Sequence, residues 1–203
     1  MVKQDKENIW NLPNALTLSR IIISFITIFF IFAGFDILYI ISAFIIGMIT
    51  DCLDGWVARR FKLITEFGGK FDMVADRFLM VGVAFASIIK LNASGILSNN
   101  QLLQIFLILS REIIAFSGVL ITIMAGRGVL APRPRFIGKA TTLMQAITFP
   151  MILLSIFYQV FSFSLYFAIA TSIIGVVSAF YYINDVKNFV GNKNNLNRIH
   201  PVK

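Results

Sequence analysis

The sequence predicts an all-α integral membrane protein with six transmembrane helices and a short N-terminal interfacial helix. Of its 203 residues, 58% are hydrophobic and only 14% are charged, and the mean hydropathy is +0.82. This composition excludes an ordinary soluble domain. The apolar residues fall into six stretches close to the roughly 20 residues that a spanning helix needs. We therefore expect one transmembrane domain over residues 1–203 and no separate soluble domain.

The predicted helices follow one another with short connections. They cover about 15–33, 37–57, 71–91, 102–125, 142–160 and 163–182. Residues 1–14 precede them and carry Trp10 and Leu12 just before Pro13. Tryptophan is favoured at the membrane surface, so this segment is either an interfacial helix or, in its first residues, a disordered leader. It lacks the pattern of a cleavable signal peptide. Residues 184–203 form a polar tail.

Basic residues predict the orientation of the helices. They cluster between the second and third helices, between the fourth and fifth, and in the tail, while the other connections carry almost none. By the positive-inside rule, both termini and both basic connections are expected in the cytoplasm. The net charge of +8 then reflects this topology and contact with anionic headgroups. We expect membrane lipids as partners and no nucleic acid.

Four aspartates gather where the second predicted helix ends and the third begins. Asp51 and Asp54 lie in the last turns of one helix, and Asp72 and Asp76 lie in the first turns of the next. The two helices run in opposite directions, so all four reach the same cytoplasmic depth. Carboxylates are costly beside a bilayer unless they face a polar cavity or bind cations. A functional site is therefore the preferred interpretation.

The chemistry of this site follows from its oxygen ligands. Carboxylate clusters suit Mg²⁺ or Mn²⁺, and Mg²⁺ is usually held together with substrate phosphates. Two ions could bridge a diphosphate, or one carboxylate could serve as a base. Gly55 and Ala58 share the helix face of Asp51 and Asp54, where their small size leaves room for a bulky ligand or a close helix. Cys52 is predicted to be a packed thiol.

Residues 51–76 read DCLDGWVARRFKLITEFGGKFDMVAD. This segment resembles the signature of the CDP-alcohol phosphotransferases, DxxDGxxARx(8)GxxxDxxxD, at every fixed position and in both spacers. The resemblance implies an enzyme that transfers a phosphatidyl group from a CDP-linked lipid such as CDP-diacylglycerol to an alcohol and releases CMP. It also implies a homodimer.

The same resemblance implies roles for the individual motif residues. Asp51, Asp54 and Asp72 are the expected metal ligands. Asp76 is expected both to approach the metals and to act as general base, because a hydroxyl is a poor nucleophile until its proton is accepted. The positions implied to shape the CDP-lipid pocket are Gly55, Ala58, Arg59 and Gly68. An arginine there suits a phosphate oxygen.

Cations further along the chain suggest where the acceptor binds. Arg111 lies in the middle of the fourth predicted helix and should face the bundle interior, because an arginine facing lipid is expensive. It forms either a structural pair, with Glu112 or an aspartate, or a ligand contact. Arg133, Arg135 and Lys139 follow in the next connection and could hold a phosphorylated acceptor. Topology alone would also place cations there.

Two segments resemble one branch of this family in particular, the phosphatidylglycerophosphate synthase and cardiolipin synthase branch. They are residues 11–20, NLPNALTLSR, and residues 138–145, GKATTLMQ. Against this, Met73 and Arg77 stand where that branch commonly has proline and lysine. The branch implies glycerol 3-phosphate as the acceptor and phosphatidylglycerophosphate as the product. Phosphatidylglycerol, inositol phosphate and serine are alternative acceptors.

Thr17 and Arg20 lie one turn apart at the start of the first predicted helix. They either border the aspartate cavity, or Arg20 extends to the membrane interface. A small cation transporter or channel is the alternative from a different class of protein. A transport path should continue polar residues across the bilayer, yet the outer halves of the helices are almost wholly apolar. A cavity open toward the cytoplasm favours the enzyme.

Overall fold

The computed structural model describes residues 11–61, 65–124, 136–158, 161 and 163–199. The described residues form six helices: α1 Leu12–Ala33, α2 Ile37–Arg60, α3 Glu66–Ala93, α4 Asn99–Met124, α5 Phe136–Phe157 and α6 Ser164–Ile199. Four of them, α1, α2, α5 and α6, contain stretches long and apolar enough to cross a membrane. This all-helical architecture is consistent with an integral membrane protein. Membrane crossing by α3 and α4, and the orientation of the termini, stay predictions.

The main differences from the predicted elements occur at their ends. Residues 11–14, which belong to the predicted interfacial segment, form the cap and first turn of α1, and their place at the membrane surface stays a prediction. Pro13 lies in the first turn of α1, where proline is favoured because its missing N–H would be unpaired anyway. Residues 1–10 of the segment lie outside the described residues. Helix α6 continues through most of the predicted tail, to Ile199.

Side-chain and glycine caps define the ends of the helices in the first part of the chain. The Asn11 side chain accepts a hydrogen bond from the Asn14 N–H at 3.0 Å, which caps α1. Gly34 ends α1 with a φ of +77°, a conformation that only glycine adopts readily. Asp36 then caps α2, and Thr65 caps α3. These caps set the starts of the three helices that carry the aspartates and Arg20.

The chain divides into two compact units, Met1–Ser98 and Asn99–Lys203. In the first unit, α1 packs against both α2 and α3. A Cβ atom at Gly47 would lie 2.9 Å from Cδ2 of Leu79, so this glycine lets α2 approach α3 closely. Among the described residues of this unit, the fully buried apolar side chains are Phe44, Ala75, Leu79, Val83 and Ala84.

Helix α1 buries a polar face and exposes an apolar one. The buried polar residues recur every three or four positions and are each at most 8% exposed: Asn14, Thr17, Arg20, Ser24 and Thr27. By contrast, Phe29 is 62% exposed and Phe25 is 58% exposed. This inversion suits a helix with lipid outside and polar partners inside. The buried face of α1 places one cation, Arg20, in the interior of the unit.

In the second unit, α6 packs against α4 and α5. A Cβ atom at Gly175 would lie 3.2 Å from the Cβ of Arg111, so α6 passes close to α4 at this level. Buried hydrogen bonds join the helices elsewhere. Ser164 donates to Gln104 at 2.8 Å, and the hydroxyls of Thr148 and Thr171 are 2.8 Å apart. Such bonds hold helices together where lipid provides no hydrophobic drive.

Candidate metal centre

Three of the predicted aspartates converge in the first unit. Asp51 and Asp54 project from successive turns of α2, and Asp72 projects from α3. One carboxylate oxygen of each lies within 4.8 Å of the others. Oxygens that share one Mg²⁺ ion are roughly 3 to 4 Å apart, because each metal–oxygen distance is about 2.1 Å. The all-oxygen donor set therefore fits a hard divalent cation after small side-chain adjustments.

The exposure of the three carboxylates is graded. The Asp54 side chain is 5% exposed, that of Asp51 is 24% exposed, and that of Asp72 is 43% exposed. A ligand could therefore reach the carboxylates from the side of Asp72, while Asp54 is the most deeply buried of the three. A cluster open on one side is what a metal site needs if a substrate is to complete the coordination.

Arg20 provides the cation of this cluster and bridges all three helices of the unit. Its Nη1 donates to Oδ1 of Asp72 at 2.7 Å and lies 3.1 Å from Oδ1 of Asp51. Its Nη2 donates to Oδ2 of Asp54. The Arg20 side chain is completely buried. Of the two alternatives for this residue, the cavity position is confirmed and extension to the interface is wrong.

Thr17 lies one turn before Arg20 and completes the contact of α1 with the cluster. Its Oγ1 is 3.2 Å from Oδ2 of Asp54 and 3.1 Å from the carbonyl oxygen of Pro13. Both partners are acceptors, so the single hydroxyl proton can go to either one. When Thr17 donates to Asp54, the hydrogen bond fixes the orientation of the carboxylate.

Asp76 lies one turn beyond Asp72 on α3 and is partly buried. Within the part of the chain that the structure describes, the tight carboxylate group consists of Asp51, Asp54 and Asp72. Asp76 thus stands next to the group along α3. Its roles as a fourth ligand and as a base stay predictions.

The predicted pocket residues differ in how well the structure describes them. Gly55 and Ala58 lie on α2 and are partly buried. The backbone of Arg59 belongs to α2, but its side chain lies outside what is described. The contribution of these residues to a CDP-lipid pocket stays a prediction.

Gly68 has a clear packing role. It lies in the first turn of α3, where its N–H donates to Oγ1 of Thr65 at 2.9 Å. A Cβ atom at this position would lie 2.6 Å from Oδ1 of Asn14 and 2.8 Å from Oγ1 of Thr65. Gly68 is therefore needed for the start of α3 to pack against the start of α1. Sequence reasoning missed this role, because the contact depends on a residue far away in the chain.

In the second unit, Arg111 is held by side chains from α4 and α5. Its Nη1 donates to Oε1 of Gln145 at 3.1 Å, and lies 3.3 Å from both Oγ1 of Thr142 and Oε1 of Glu112. The predicted pairing with Glu112 is confirmed. Sequence reasoning assigned no contact to Thr142 and Gln145. Their spacing of three residues, with Gly138 four positions earlier on the same face, was the available signal.

The side chains of the other predicted acceptor residues are not among those that the structure describes. Arg133 and Arg135 fall outside the described residues. The backbone of Lys139 belongs to α5, but its side chain is not among those described. Of the four residues predicted to bind the acceptor phosphate, Arg111 is the one whose side chain the structure describes.

Comparison with known proteins assigns the chain to a family. Residues 10–179 match the family model described as CDP-alcohol phosphatidyltransferase. The chain is 35% identical over 104 residues to a CDP-diacylglycerol–glycerol-3-phosphate 3-phosphatidyltransferase of Rickettsia typhi, and this match covers 50% of the chain. The chain spans about half the length of this relative, 54%.

Two further relatives carry related names. A Bacillus subtilis protein with the same name as the Rickettsia relative is 30% identical over 159 residues, which are 71% of this chain and 77% of that protein. A probable CMP-forming cardiolipin synthase of Drosophila melanogaster is 38% identical over 80 residues, 39% of this chain and 24% of the relative. Together with the family match over most of its length, these similarities establish that the chain belongs to the CDP-alcohol phosphatidyltransferase family.

Proposed function

We propose that this protein transfers the phosphatidyl group of CDP-diacylglycerol to glycerol 3-phosphate, which forms phosphatidylglycerophosphate and releases CMP. The observation that carries the proposal is the convergence of Asp51, Asp54 and Asp72 from two helices in a membrane chain of this family. The names of the Rickettsia and Bacillus relatives support glycerol 3-phosphate as the acceptor.

Asp51, Asp54, Asp72 and Asp76 would hold two divalent cations, either Mg²⁺ or Mn²⁺. Bound there, the cations would neutralise the diphosphate of the CDP-lipid and stabilise the charge of the departing CMP. The graded exposure of the carboxylates supports this arrangement, because Asp72 is open to a substrate while Asp54 is buried. In this proposal, Gly55, Ala58, Arg59 and Gly68 border the CDP-lipid.

Asp76 acts as the base in the proposed reaction. Its carboxylate accepts the proton of the acceptor hydroxyl, and the hydroxyl oxygen attacks the phosphorus that bears the diacylglycerol. The bond from this phosphorus to the oxygen bridging it to the cytidine phosphate breaks, and CMP leaves with the electron pair. Proton removal by a positioned carboxylate typically contributes 10²- to 10⁴-fold to a rate, as an order of magnitude.

Arg111 binds the phosphate of the acceptor in this scheme, together with Arg133, Arg135 and Lys139. Support comes from the way α5 holds the Arg111 guanidinium, through Gln145 and Thr142. A guanidinium fixed in orientation suits a phosphate group, because its planar donors match the phosphate oxygens. We further propose that the site faces the cytoplasm, as the basic connections indicate, and that the protein is a homodimer.

Phosphatidylglycerol is the second candidate acceptor, and the product would then be cardiolipin. The similarity to the probable cardiolipin synthase favours this candidate over inositol phosphate and serine. The two acceptors differ in a simple property, since glycerol 3-phosphate is soluble and phosphatidylglycerol is a lipid. The preferred acceptor therefore reports whether the second substrate enters from water or from the membrane.

The test uses the full chain, purified in detergent or reconstituted in nanodiscs, with CDP-diacylglycerol labelled in the cytidine. CMP release is measured with each acceptor alone: glycerol 3-phosphate, phosphatidylglycerol, inositol phosphate or serine. We expect metal-dependent CMP release with glycerol 3-phosphate and none in the Asp51→Asn variant. If CMP is released with phosphatidylglycerol but not with glycerol 3-phosphate, the acceptor is phosphatidylglycerol. If no acceptor gives metal-dependent CMP, the enzyme proposal is wrong.

A further inference from the structure

The guanidinium of Arg20 occupies the centre toward which the three metal-binding carboxylates point. It contacts Oδ1 of Asp51, Oδ2 of Asp54 and Oδ1 of Asp72. The Arg20 side chain is 0% exposed and that of Asp54 is 5% exposed, so water weakens this pair little, whereas the Asp72 side chain is 43% exposed. The Nε of Arg20 is buried. The Arg20 side chain thus pairs with the carboxylates through Nη1 and Nη2, while its Nε makes no hydrogen bond with the described residues.

A divalent cation would need these same carboxylates. If it bound the oxygens that now accept from Arg20, at about 2.1 Å each, it would come within roughly 4 Å of the guanidinium. Carboxylates that bind a metal must be ionised, so the three ligands together would carry three negative charges, of which Arg20 balances one. A cation of charge two and a guanidinium at contact distance repel each other strongly in a partly buried site. The geometry therefore sets the two cations in competition.

We propose that Arg20 is an internal counter-cation that holds Asp51, Asp54 and Asp72 together in the metal-free protein and is displaced from them when a divalent metal binds. The inference rests on the metal site of the proposed function. Metal loading is then an exchange of one cation for another. The carboxylates stay converged before the metal arrives, and the ion pairs that must be broken lower the apparent affinity for the metal.

A permanent positioning role for Arg20 predicts the opposite behaviour. If the guanidinium stayed in place and only oriented the carboxylates, its removal would disorder the ligands and weaken metal binding. If it competes with the metal, its removal strengthens metal binding and weakens the metal-free protein. The direction of the change in metal affinity therefore separates the two roles.

The test measures Mn²⁺ binding to the full-length protein in detergent, from the electron paramagnetic resonance signal of free Mn²⁺. The variants are Arg20→Met, which removes the charge, and Arg20→Lys, which keeps the charge but loses the forked contacts. We expect Arg20→Met to bind Mn²⁺ roughly tenfold or more tightly than the wild type, since one adjacent positive charge is gone. Arg20→Lys should lie between the two.

Lys90→Met is the matched control, because it also removes one positive charge from the first unit. Lys90 lies near the opposite end of α3, where its Nζ donates to the carbonyl oxygen of Phe32 at 3.1 Å. It stands 18 residues after Asp72, which is roughly 27 Å along a helix axis. Its Mn²⁺ affinity should equal that of the wild type.

A second measurement follows thermal unfolding in EDTA and in saturating Mn²⁺. A ligand stabilises the state that it binds, so tighter binding gives a larger upward shift of Tm. We expect Arg20→Met to unfold below the wild type in EDTA, with the difference reduced or reversed in Mn²⁺. An equal difference in both conditions, together with weaker Mn²⁺ binding, would overturn the inference.

The remaining outcomes are also decisive. If Arg20→Met does not fold, Arg20→Lys carries the test, and Mn²⁺ binding equal to or weaker than wild type overturns the inference. If neither the wild type nor any variant binds Mn²⁺, the metal site of the proposed function fails and the inference fails with it. If the exchange is observed but no acceptor yields CMP, the inference holds and the proposed transferase activity is wrong.

Discussion

Nη1 of Arg20 lies 2.7 Å from Oδ1 of Asp72, which ties α1 to α3 by a charged hydrogen bond inside the first unit. The same guanidinium contacts Asp51 and Asp54 on α2. Three helices thus meet at one buried cation. Because removing one partner of a buried ion pair leaves an uncompensated charge, this junction should be sensitive to single substitutions.

Asp72→Asn should reduce Mn²⁺ affinity about 100-fold or more, since even residues that merely orient a metal ligand typically contribute 10- to 100-fold. Asparagine keeps the size of the side chain and one oxygen, but it loses the charge that attracts the cation. The measurement is Mn²⁺ binding by the wild type and the variant in the same detergent.

Asp36→Asn provides the control for that experiment. Asp36 caps the far end of α2, where it accepts from the Leu38 N–H at 2.9 Å, and asparagine caps a helix about as well. Its Mn²⁺ affinity should match the wild type. Equal losses in both variants would mean that the reduction reflects general damage to the protein, and the assignment of Asp72 as a ligand would lose its support.

Asp76→Asn should slow CMP release by roughly 10²- to 10⁴-fold, because an amide cannot accept the proton of the acceptor hydroxyl. Binding of the CDP-lipid should persist, which equilibrium binding of a labelled CDP-lipid checks. Turnover near the wild-type rate, with metal and CDP-lipid bound, would exclude Asp76 as the base.

Gly68→Ala should lower the free energy of unfolding by about 1 to 3 kcal/mol, the usual cost of forcing an extra carbon into a filled space. The added Cβ would lie 2.6 Å from Oδ1 of Asn14. Gly69→Ala is the control, because a Cβ there meets nothing within 4 Å. Thermal unfolding of the two variants in detergent makes the comparison. Similar Tm values would show that Gly68 is not required for packing.

Arg111→Met should raise the KM for glycerol 3-phosphate by at least tenfold, as expected from a charge-assisted hydrogen bond worth roughly 1.5 to 3 kcal/mol. The KM for CDP-diacylglycerol should change much less. Ser164→Ala, which removes a buried hydrogen bond to Gln104 in the same unit, should affect stability without this selective effect on KM. A proportional rise in both KM values for Arg111→Met would argue against an acceptor site.

The sequence was sufficient to predict the six helices and the acidic group, since both depend on local patterns. Apolar length identified the helices, and the spacing of Asp51, Asp54 and Asp72 placed them at facing helix ends. Helix α1 begins at Leu12, three residues before the approximate predicted start, because Pro13 is accommodated in its first turn.

The sequence was not sufficient to predict contacts that depend on how the helices rotate against each other. Arg20 fits either a cavity or the membrane interface until α1 is packed, because rotation and tilt are set by neighbouring helices. The polar residues Ser24 and Thr27, which share its buried face, were the available sign of the correct rotation. In the same way, the contact of Gly68 with Asn14 follows from the packing of α3 on α1.

CMP release from CDP-diacylglycerol and glycerol 3-phosphate is the most direct test of the central claim. The protein is assayed with Mg²⁺, with EDTA, and after Mg²⁺ is restored, beside the Asp51→Asn variant. We expect CMP and phosphatidylglycerophosphate in equal amounts with Mg²⁺, neither product with EDTA, recovery when Mg²⁺ is restored, and neither product from the variant. CMP release that is unaffected by EDTA or by the loss of Asp51 would contradict the central claim.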